Sequence, residues 1–503
     1  MVFTRLYGEA HASQVFGHVP EPRSDVLIAR RTVRCRQGRP EQGVDGQLGR
    51  GEPSNFSTLT RVTLDELTEA VALGTVDTVV LAMTDMQGRL QGKRLTGTHF
   101  LGEVVEHGAE GCNYLLAVDV DMNTVAGYAM SSWERGYGDM LLVPDLRTLR
   151  RVPWQDGTVM CLADVAWLDG SDVLASPRQV LRRQLARLAD RGWTANAGTE
   201  LEFLVFKDTY EDAWHKGYRD LRPANLYNVD YSLLGTARVE PLIRRIRNSM
   251  AAAEMVVEDS KGECNFGQHE INFRYADALR TADEHAIFKN GAKEIAADEG
   301  MAITFMAKFD QREGSSCHIH FSLADGDGPL FAREQALFDS FLAGQLACLR
   351  EMTLMLAPNV NSYKRYAATS FAPTTVAWGH DNRTCALRVV GHGPGRRFEN
   401  RVGGADLNPY LALSAIIASG LHGLDAGLEL EPALEGNAYV DSEHARVPAT
   451  LSEARQLFAA SVVARDAFGE DVVAHYLNAA DVELDAFGAA VTDWEHRRGF
   501  ERL

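Results

Sequence analysis

From Thr63 onward, apolar positions recur with the periods of regular structure. Thr63-Leu-Asp-Glu66 is a capping-box pattern that opens a predicted helix from Leu64 to Leu73. Val76 to Met83 predicts a strand, Asp85-Met-Gln-Gly88 a turn, and Arg89 to Leu95 a second strand. Residues 57–152 therefore read as a small α+β domain, and Pro144 and Pro153 bracket the crossing into a larger one, residues 153–503. In that larger part, Ser176-Pro177 supplies an N-cap and a first-turn proline for a helix to about Asp190. A further helix is expected near Pro241 to Glu254, and Asn408-Pro409 opens an apolar helix through Ile417. Between Thr194 and Phe206 the period drops to two. Leu201 and Phe203 then take a core face while Glu200 and Glu202 share the opposite one. His318 and His320 share a strand face in the same way, with Ile319 and Phe321 behind them.

Residues 1–56 are rich in Arg, Gly, Pro and Gln and show no sustained apolar period. Such a segment buries too little surface to offset its ordering entropy, so it is expected to be a flexible tail or the translation of a start site placed too far upstream. The whole chain, 503 residues with 45% hydrophobic and 24% charged positions, has the composition of a globular protein of two or three domains. A net charge of −18 argues against nonspecific nucleic-acid binding, because no basic excess exists to neutralise phosphates. Seven scattered cysteines without a Cys-x-x-Cys spacing favour reduced thiols. No apolar stretch approaches the roughly 20 residues that span a bilayer, and no secretory pattern opens the chain. The expected location is the cytoplasm, with no membrane or nucleic-acid partner.

The chemistry-bearing residues lie between Gly198 and Arg401. They comprise Glu200 and Glu202, Glu263 and Glu270, His318 and His320, and arginines 365, 383, 388, 397 and 401, with Glu399 between the last two. Carboxylates with a histidine suit divalent metals, and guanidinium groups suit phosphate and carboxylate. Taken singly, each pattern has a plainer reading: a solvated strand face for Glu-x-Glu, structural histidines, a salt-bridged surface ladder for Arg397, Glu399 and Arg401. Six arginines within about forty residues (Arg396 beside those named), in segments poor in acids, instead suggest an anionic ligand. Arg383 and Arg388 are five apart, so a bulge or turn is needed for both to converge. No P-loop, dinucleotide glycine fingerprint or Gly-x-Ser-x-Gly elbow is present.

Taken in order from about residue 60 to the C-terminus, these segments resemble the glutamine synthetase family, type I. The resemblance rests on Leu81 to Arg94, Glu200-x-Glu202, Gly267-Gln-x-Glu270, Gly314-Ser-x-x-His318-x-His320, Asn361-Ser-Tyr-Lys-Arg365, Asn382-Arg383 and Arg397-x-Glu399-x-Arg401. It implies an α+β fold: a small β-grasp-like N-terminal domain and a large α+β catalytic domain with a curved antiparallel sheet. It also implies a homododecamer of two hexameric rings. The resemblance assigns Glu202, Glu263 and Glu270 to one metal ion and Glu200, His318 and Glu399 to a second, two or more Mg²⁺ or Mn²⁺ per site. Gly314, Arg365 and Arg401 match glutamate-binding positions. Arg383, Arg388 and Arg397 match arginines around the phosphates of ATP, and Glu258 and Ser322 match nucleotide contacts. Arg383, Arg388 and Glu399 are the implied catalytic residues.

Two departures bear on the acceptor. Where the family carries an ammonia-handling glutamate, six residues after Arg365, this chain has Phe371 in Ser370-Phe371-Ala372-Pro373. The family's second ammonium-site acid precedes a tryptophan, whereas the stretch Thr124 to Trp133 contains no acid. A phenyl ring neither binds ammonium nor accepts its proton. The expected reaction is therefore ATP-dependent ligation of glutamate to an organic amine, ethanolamine or another small alkyl or aromatic amine first. A polyamine comes next, with Glu134 or Asp139 as the acid for its distal ammonium. Ordinary glutamine synthesis and a catalytically silent relative are the alternatives. Tyr439 lies in a segment resembling the one that holds the family's adenylylated tyrosine, and also reads as a plain surface loop.

Overall fold

The computed structural model describes residues 62–503. The expected tail, residues 1–56, and Cys35 lie outside the described residues. The capping box forms: the Thr63 amide donates to Glu66 Oε2 at 2.8 Å and the Glu66 amide to Thr63 Oγ1 at 3.2 Å, opening the helix Leu64–Ala72. Strands β1 (Thr78–Thr84) and β2 (Leu90–Thr96) make an antiparallel hairpin about the expected turn. There the Asp85 carboxylate accepts from the amides of Gln87 and Arg89 at 3.0 and 2.8 Å, and Gly88 has φ +78°. With β3 (Ala109–Cys112), β4 (Asp139–Pro144), β5 (Arg150–Arg151) and β6 (Thr158–Ala166) they form a six-stranded sheet of order β2-β1-β6-β4-β3, with β5 paired to β6. Its central pair, β1 and β6, is parallel, the feature that makes the sheet β-grasp-like. Because β6 adds Val159 and Cys161 to the core built on Val79 and Leu81, the sheet extends past residue 152.

A ten-stranded sheet carries the rest. Its strands are β7 (Thr194–Phe206), β8 (Val257–Gly262), β9 (Gln268–Phe273), β10 (Ala276–Asp277), β11 (Ala302–Thr304), β12 (Cys317–Asp325), β13 (Gly328–Pro329), β14 (Trp378–His380), β15 (Leu387–Val390) and β16 (Arg397–Asn400). The order along the main path is β14-β15-β16-β12-β7-β9-β8, antiparallel throughout except for β14 with β15. One face is apolar and backed by helices. Phe203 packs edge-on against Phe288 of the helix Ala278–Asp298, centroids 6.3 Å apart, and Phe321 stacks on Phe341 of the helix Gln335–Leu356 at 5.5 Å. Burial of each such ring is worth roughly 1.5–3 kcal/mol. The other face is left to polar residues.

Several expectations are corrected at helix ends. The helix Pro177–Ala189 forms with proline at its first position, but Ser176 makes no side-chain cap bond. Arg178 behind it donates to both oxygens of Asp283 at 3.0 Å and to Asp145 Oδ2 at 2.9 Å, joining the two sheets' surroundings. The helix at Asn408 runs on to Asp425, because its residues are apolar on every side and almost all buried. Asn408 caps it and also donates to the Met86 carbonyl at 3.0 Å, tying it to the β1–β2 turn. Among the described residues no helix is long and apolar enough to cross a membrane, and all six cysteines are free.

Candidate active site

Strand register sets the candidate ligands in one row across the polar face of the large sheet. Glu399 pairs with His320, His318 with Glu200, Glu202 with Glu270, and Glu270 with Lys261. Directly opposed residues share a face, so five strands deliver these side chains to one side. Two groups of metal-ligating atoms result on this face, the atoms of each within 4.8 Å of one another: Glu202, Glu263 and Glu270, and Glu200, His320 and Glu399; Glu263 also falls in a third group with Asp230 and Cys264 at the edge of the row. Oxygen and imidazole donors of this kind fit Mg²⁺ or Mn²⁺. The Glu202 carboxylate is oriented by the Ser316 amide at 2.9 Å, the Ser316 hydroxyl at 2.5 Å and Gln268 Nε2 at 2.8 Å. Such outer partners fix a ligand's geometry before an ion arrives.

The second group has a second imidazole, His320, beside the expected His318. His320 Nε2 lies 2.7 Å from Glu200 Oε1, whereas His318 Nδ1 lies 3.3 Å from both Glu200 Oε2 and Glu399 Oε1. Position 198, directly opposite His320, is glycine, so no side chain stands between the His320 ring and Glu200. Both imidazoles therefore converge on the same carboxylates.

The two groups differ in charge. Burial alone would raise the Glu200 carboxyl, but hydrogen bonds from His318 and His320 outweigh it and hold the group well below the usual range. Burial likewise opposes ionisation of Glu399, and His318 and Arg401 overcome it. For Glu270, burial and the neighbouring Glu202 carboxylate both push the pKa up. That group sets three carboxylates against the single ammonium of Lys261, a shortfall of positive charge that favours a bound cation.

Glu399 is fully buried, which removes the surface-ladder reading. Its Oε2 accepts from Arg388 Nη1 at 2.9 Å and its Oε1 from Arg401 Nη1 at 2.5 Å. The needed turn is present: Asp381, at φ +48°, redirects the chain between β14 and β15, so Arg383 and Arg388 both border the same cavity. Arg397 instead donates to His320 Nδ1 at 3.1 Å. Arg365 is buried, with Nη2 donating to the carbonyls of Arg401, Val402 and Gly403. A Cβ at Gly314 would come within 2.6 Å of Arg365 Cγ and 2.5 Å of the Ala307 carbonyl, so only glycine fits there. Ser322 follows the histidines on the same face of β12. Glu258 is exposed at a bulge in β8 and borders a neighbouring cavity beside Arg247.

A cavity of about 710 Å³ lies over the row, bounded by Glu200, Glu202, Glu270, Arg383, Arg401 and Phe371 among others. Phe371 is 57% exposed at its mouth with φ +57°. Tyr439 is not on a free surface loop: its hydroxyl donates to the Ala372 carbonyl at 3.0 Å, beneath the Phe371 segment. Glu134 and Asp139 do not border this cavity. Sequence reading missed Asp230, Cys264, Tyr231 and Lys261, which do. Lys261 was legible, since it lies two residues before Glu263 with strand parity; the other three are on irregular segments that carry no period.

A sheet that brings an all-carboxylate cluster and an acid–imidazole cluster beside converging guanidinium groups has the chemistry to hold divalent cations and anionic groups. Residues 174–499 match the glutamine synthetase catalytic domain, and the chain belongs to the glutamine synthetase family. It is 64% identical over 444 residues to gamma-glutamylethanolamide synthetase of Streptomyces coelicolor, covering 88% of this chain and 96% of that protein. It is 38% identical over 434 residues to glutamate–isopropylamine ligase of a Pseudomonas species, covering 84% and 95%. Among solved structures, a GmaS complex with ADP superposes with a TM-score of 0.76 at 26% identity, covering 86% of this chain and 99% of that one.

Proposed function

We propose that the protein is an ATP-dependent glutamate–amine ligase that forms a γ-glutamyl amide with an organic amine. Ethanolamine or another small alkyl or aromatic amine is favoured, and a polyamine comes next. The observation that carries the reading is Phe371, an apolar side chain at the cavity mouth on the loop held by Arg401. The similarity to an ethanolamide synthetase and an isopropylamine ligase supports it. Ordinary glutamine synthesis is less favoured on the same grounds, and a silent relative would not keep all six acid and histidine ligand positions filled.

In this reading Glu202, Glu263 and Glu270 hold one divalent ion, and Glu200, Glu399 and His318, with His320 beside it, hold a second, as Mg²⁺ or Mn²⁺. Bound ions would neutralise the phosphate charge that repels an incoming carboxylate. Gly314, Arg365 and Arg401 frame the glutamate, Arg365 by bracing the loop that carries Arg401. Arg383, Arg388 and Arg397 take the phosphates and the transferred group, with Glu258 and Ser322 as nucleotide contacts. The γ-carboxylate oxygen bonds to the terminal phosphorus as ADP leaves, giving γ-glutamyl phosphate. The amine nitrogen then bonds to the acyl carbon, phosphate departs, and the nitrogen loses a proton. Phe371 supplies no base for that proton and instead offers apolar surface to the amine's carbon chain.

We further propose residues 57–152 as an N-terminal domain, with β6 completing its sheet, and residues 153–503 as the catalytic domain. The assembly is a homododecamer of two hexameric rings in the cytoplasm. Mass spectrometry of the product formed from glutamate, ATP, Mg²⁺ and ethanolamine tests the chemistry. γ-Glutamylethanolamide is the expected product; ATP hydrolysis without any amide would contradict it.

A further inference from the structure

Lys261 stands inside the row of carboxylates. It is the direct cross-strand partner of Glu270, which is the partner of Glu202, so strand parity alone puts its side chain on the ligand face. Its ammonium contacts Glu263 Oε1 and lies 3.5 Å from Glu270 Oε1. The Tyr231 ring covers it, with the centroid 5.0 Å from Nζ. Two of the three carboxylates that can gather around one ion are thus already engaged by a cation of the chain itself.

We propose that Lys261 is a tethered counter-ion for the Glu202–Glu263–Glu270 cluster. Its ammonium holds the carboxylates together when no divalent ion is bound and gives way when one binds. The proposal rests on reading that cluster as a metal site.

Three carboxylates whose oxygens lie within 4.8 Å repel one another, and leaving them uncompensated in a partly buried site is costly. One ammonium lowers that cost, but a divalent ion needs the same oxygens. Lysine suits a group that must leave. Its charge is a point on a flexible four-carbon stem, whereas an arginine fork would lock onto a carboxylate with two parallel hydrogen bonds. The Tyr231 ring offers the displaced ammonium a π face, and Asp230 and Asp259 border the same cavity as alternative anions. Occupancy of this cluster is then an exchange of one ammonium for one divalent cation. Metal affinity is moderated in return for a stable metal-free fold.

The test is Mn²⁺ binding by electron paramagnetic resonance, with thermal unfolding in the absence and presence of Mn²⁺, on the full chain and Lys261→Met. Removing the competitor is expected to tighten Mn²⁺ binding about tenfold, the scale of one partly buried ion pair. It is also expected to lower the metal-free melting temperature and enlarge the rise produced by Mn²⁺. If Lys261→Met does not fold without metal, Lys261→Gln gives the same comparison with a polar side chain. Unchanged or weaker Mn²⁺ binding by a folded variant would overturn the proposal while leaving the metal site standing. A wild-type protein that binds no Mn²⁺ would overturn both.

Discussion

The Arg401 guanidinium donates Nη2–H to the backbone carbonyl of Phe371 at 3.3 Å while Nη1 holds the buried Glu399 carboxylate at 2.5 Å. One arginine therefore joins the acid–imidazole cluster to the loop at the cavity mouth. The bond is to the Phe371 main chain, so its side chain can be exchanged without releasing the anchor. Tyr439, bonded to the next carbonyl, supports the loop from below.

Exchange of Phe371 for glutamate is expected to change which nucleophile is used. A carboxylate at the mouth stabilises ammonium and accepts its proton, and it removes apolar surface from an alkyl amine. The ratio of kcat/KM for ammonia to that for ethanolamine should rise at least about tenfold in Phe371→Glu. Steady-state phosphate release with each acceptor measures it, and an unchanged ratio would contradict the role given to Phe371.

Glu399 neutralises two guanidinium groups from a fully buried position. Glu399→Gln leaves Arg388 and Arg401 without that charge. Unfolding free energy is expected to fall by about 3–5 kcal/mol, the cost of breaking a buried ion pair from one side. Urea denaturation checks this; a loss below about 1 kcal/mol would mean that water reaches the pair.

At Gly314 a methyl group must displace either the Ala307 carbonyl or the Arg365 stem. Gly314→Ala is expected to cost roughly 1–3 kcal/mol of stability, as overpacking does, and to raise KM for glutamate more than KM for ATP. Both readouts move if Arg365 braces the Arg401 loop. An unaffected glutamate KM would place Arg365 outside that function.

Much of this site was legible because strand parity assigns faces without coordinates. Glu200 with Glu202, His318 with His320, and Arg397 with Glu399 all share faces as alternation requires. What parity does not supply is register between distant strands. His320 and Glu200 are 120 residues apart, and their approach to 2.7 Å depends on which residue of β7 opposes His320. That residue is Gly198, which lets His320 reach Glu200 alongside the expected His318. The helix at Asn408 outran its expected end because a helix buried on all sides has no polar face to mark its length.

Three buried histidines that belong to neither cluster give an acid dependence of stability. Burial lowers His269 and His475 to about 4 and His285 well below 6.5. Each is neutral in the fold, so between pH 6.5 and 4 the unfolded chain binds more protons. Stability is then full above pH 6.5 and lost as pH falls. For His475 the loss is roughly 2 kcal/mol between pH 6.5 and 5, at about 1.4 kcal/mol per unit. Urea unfolding at both values, compared with His475→Gln, should show a smaller loss in the variant; equal losses would mean that His475 is already charged in the fold.

The most direct test of the central claim is steady-state phosphate release with glutamate, ATP and Mg²⁺ across ethanolamine, isopropylamine, putrescine and ammonia. The highest kcat/KM is expected for ethanolamine or another small organic amine, with ammonia well below. Ammonia as the best acceptor would contradict it.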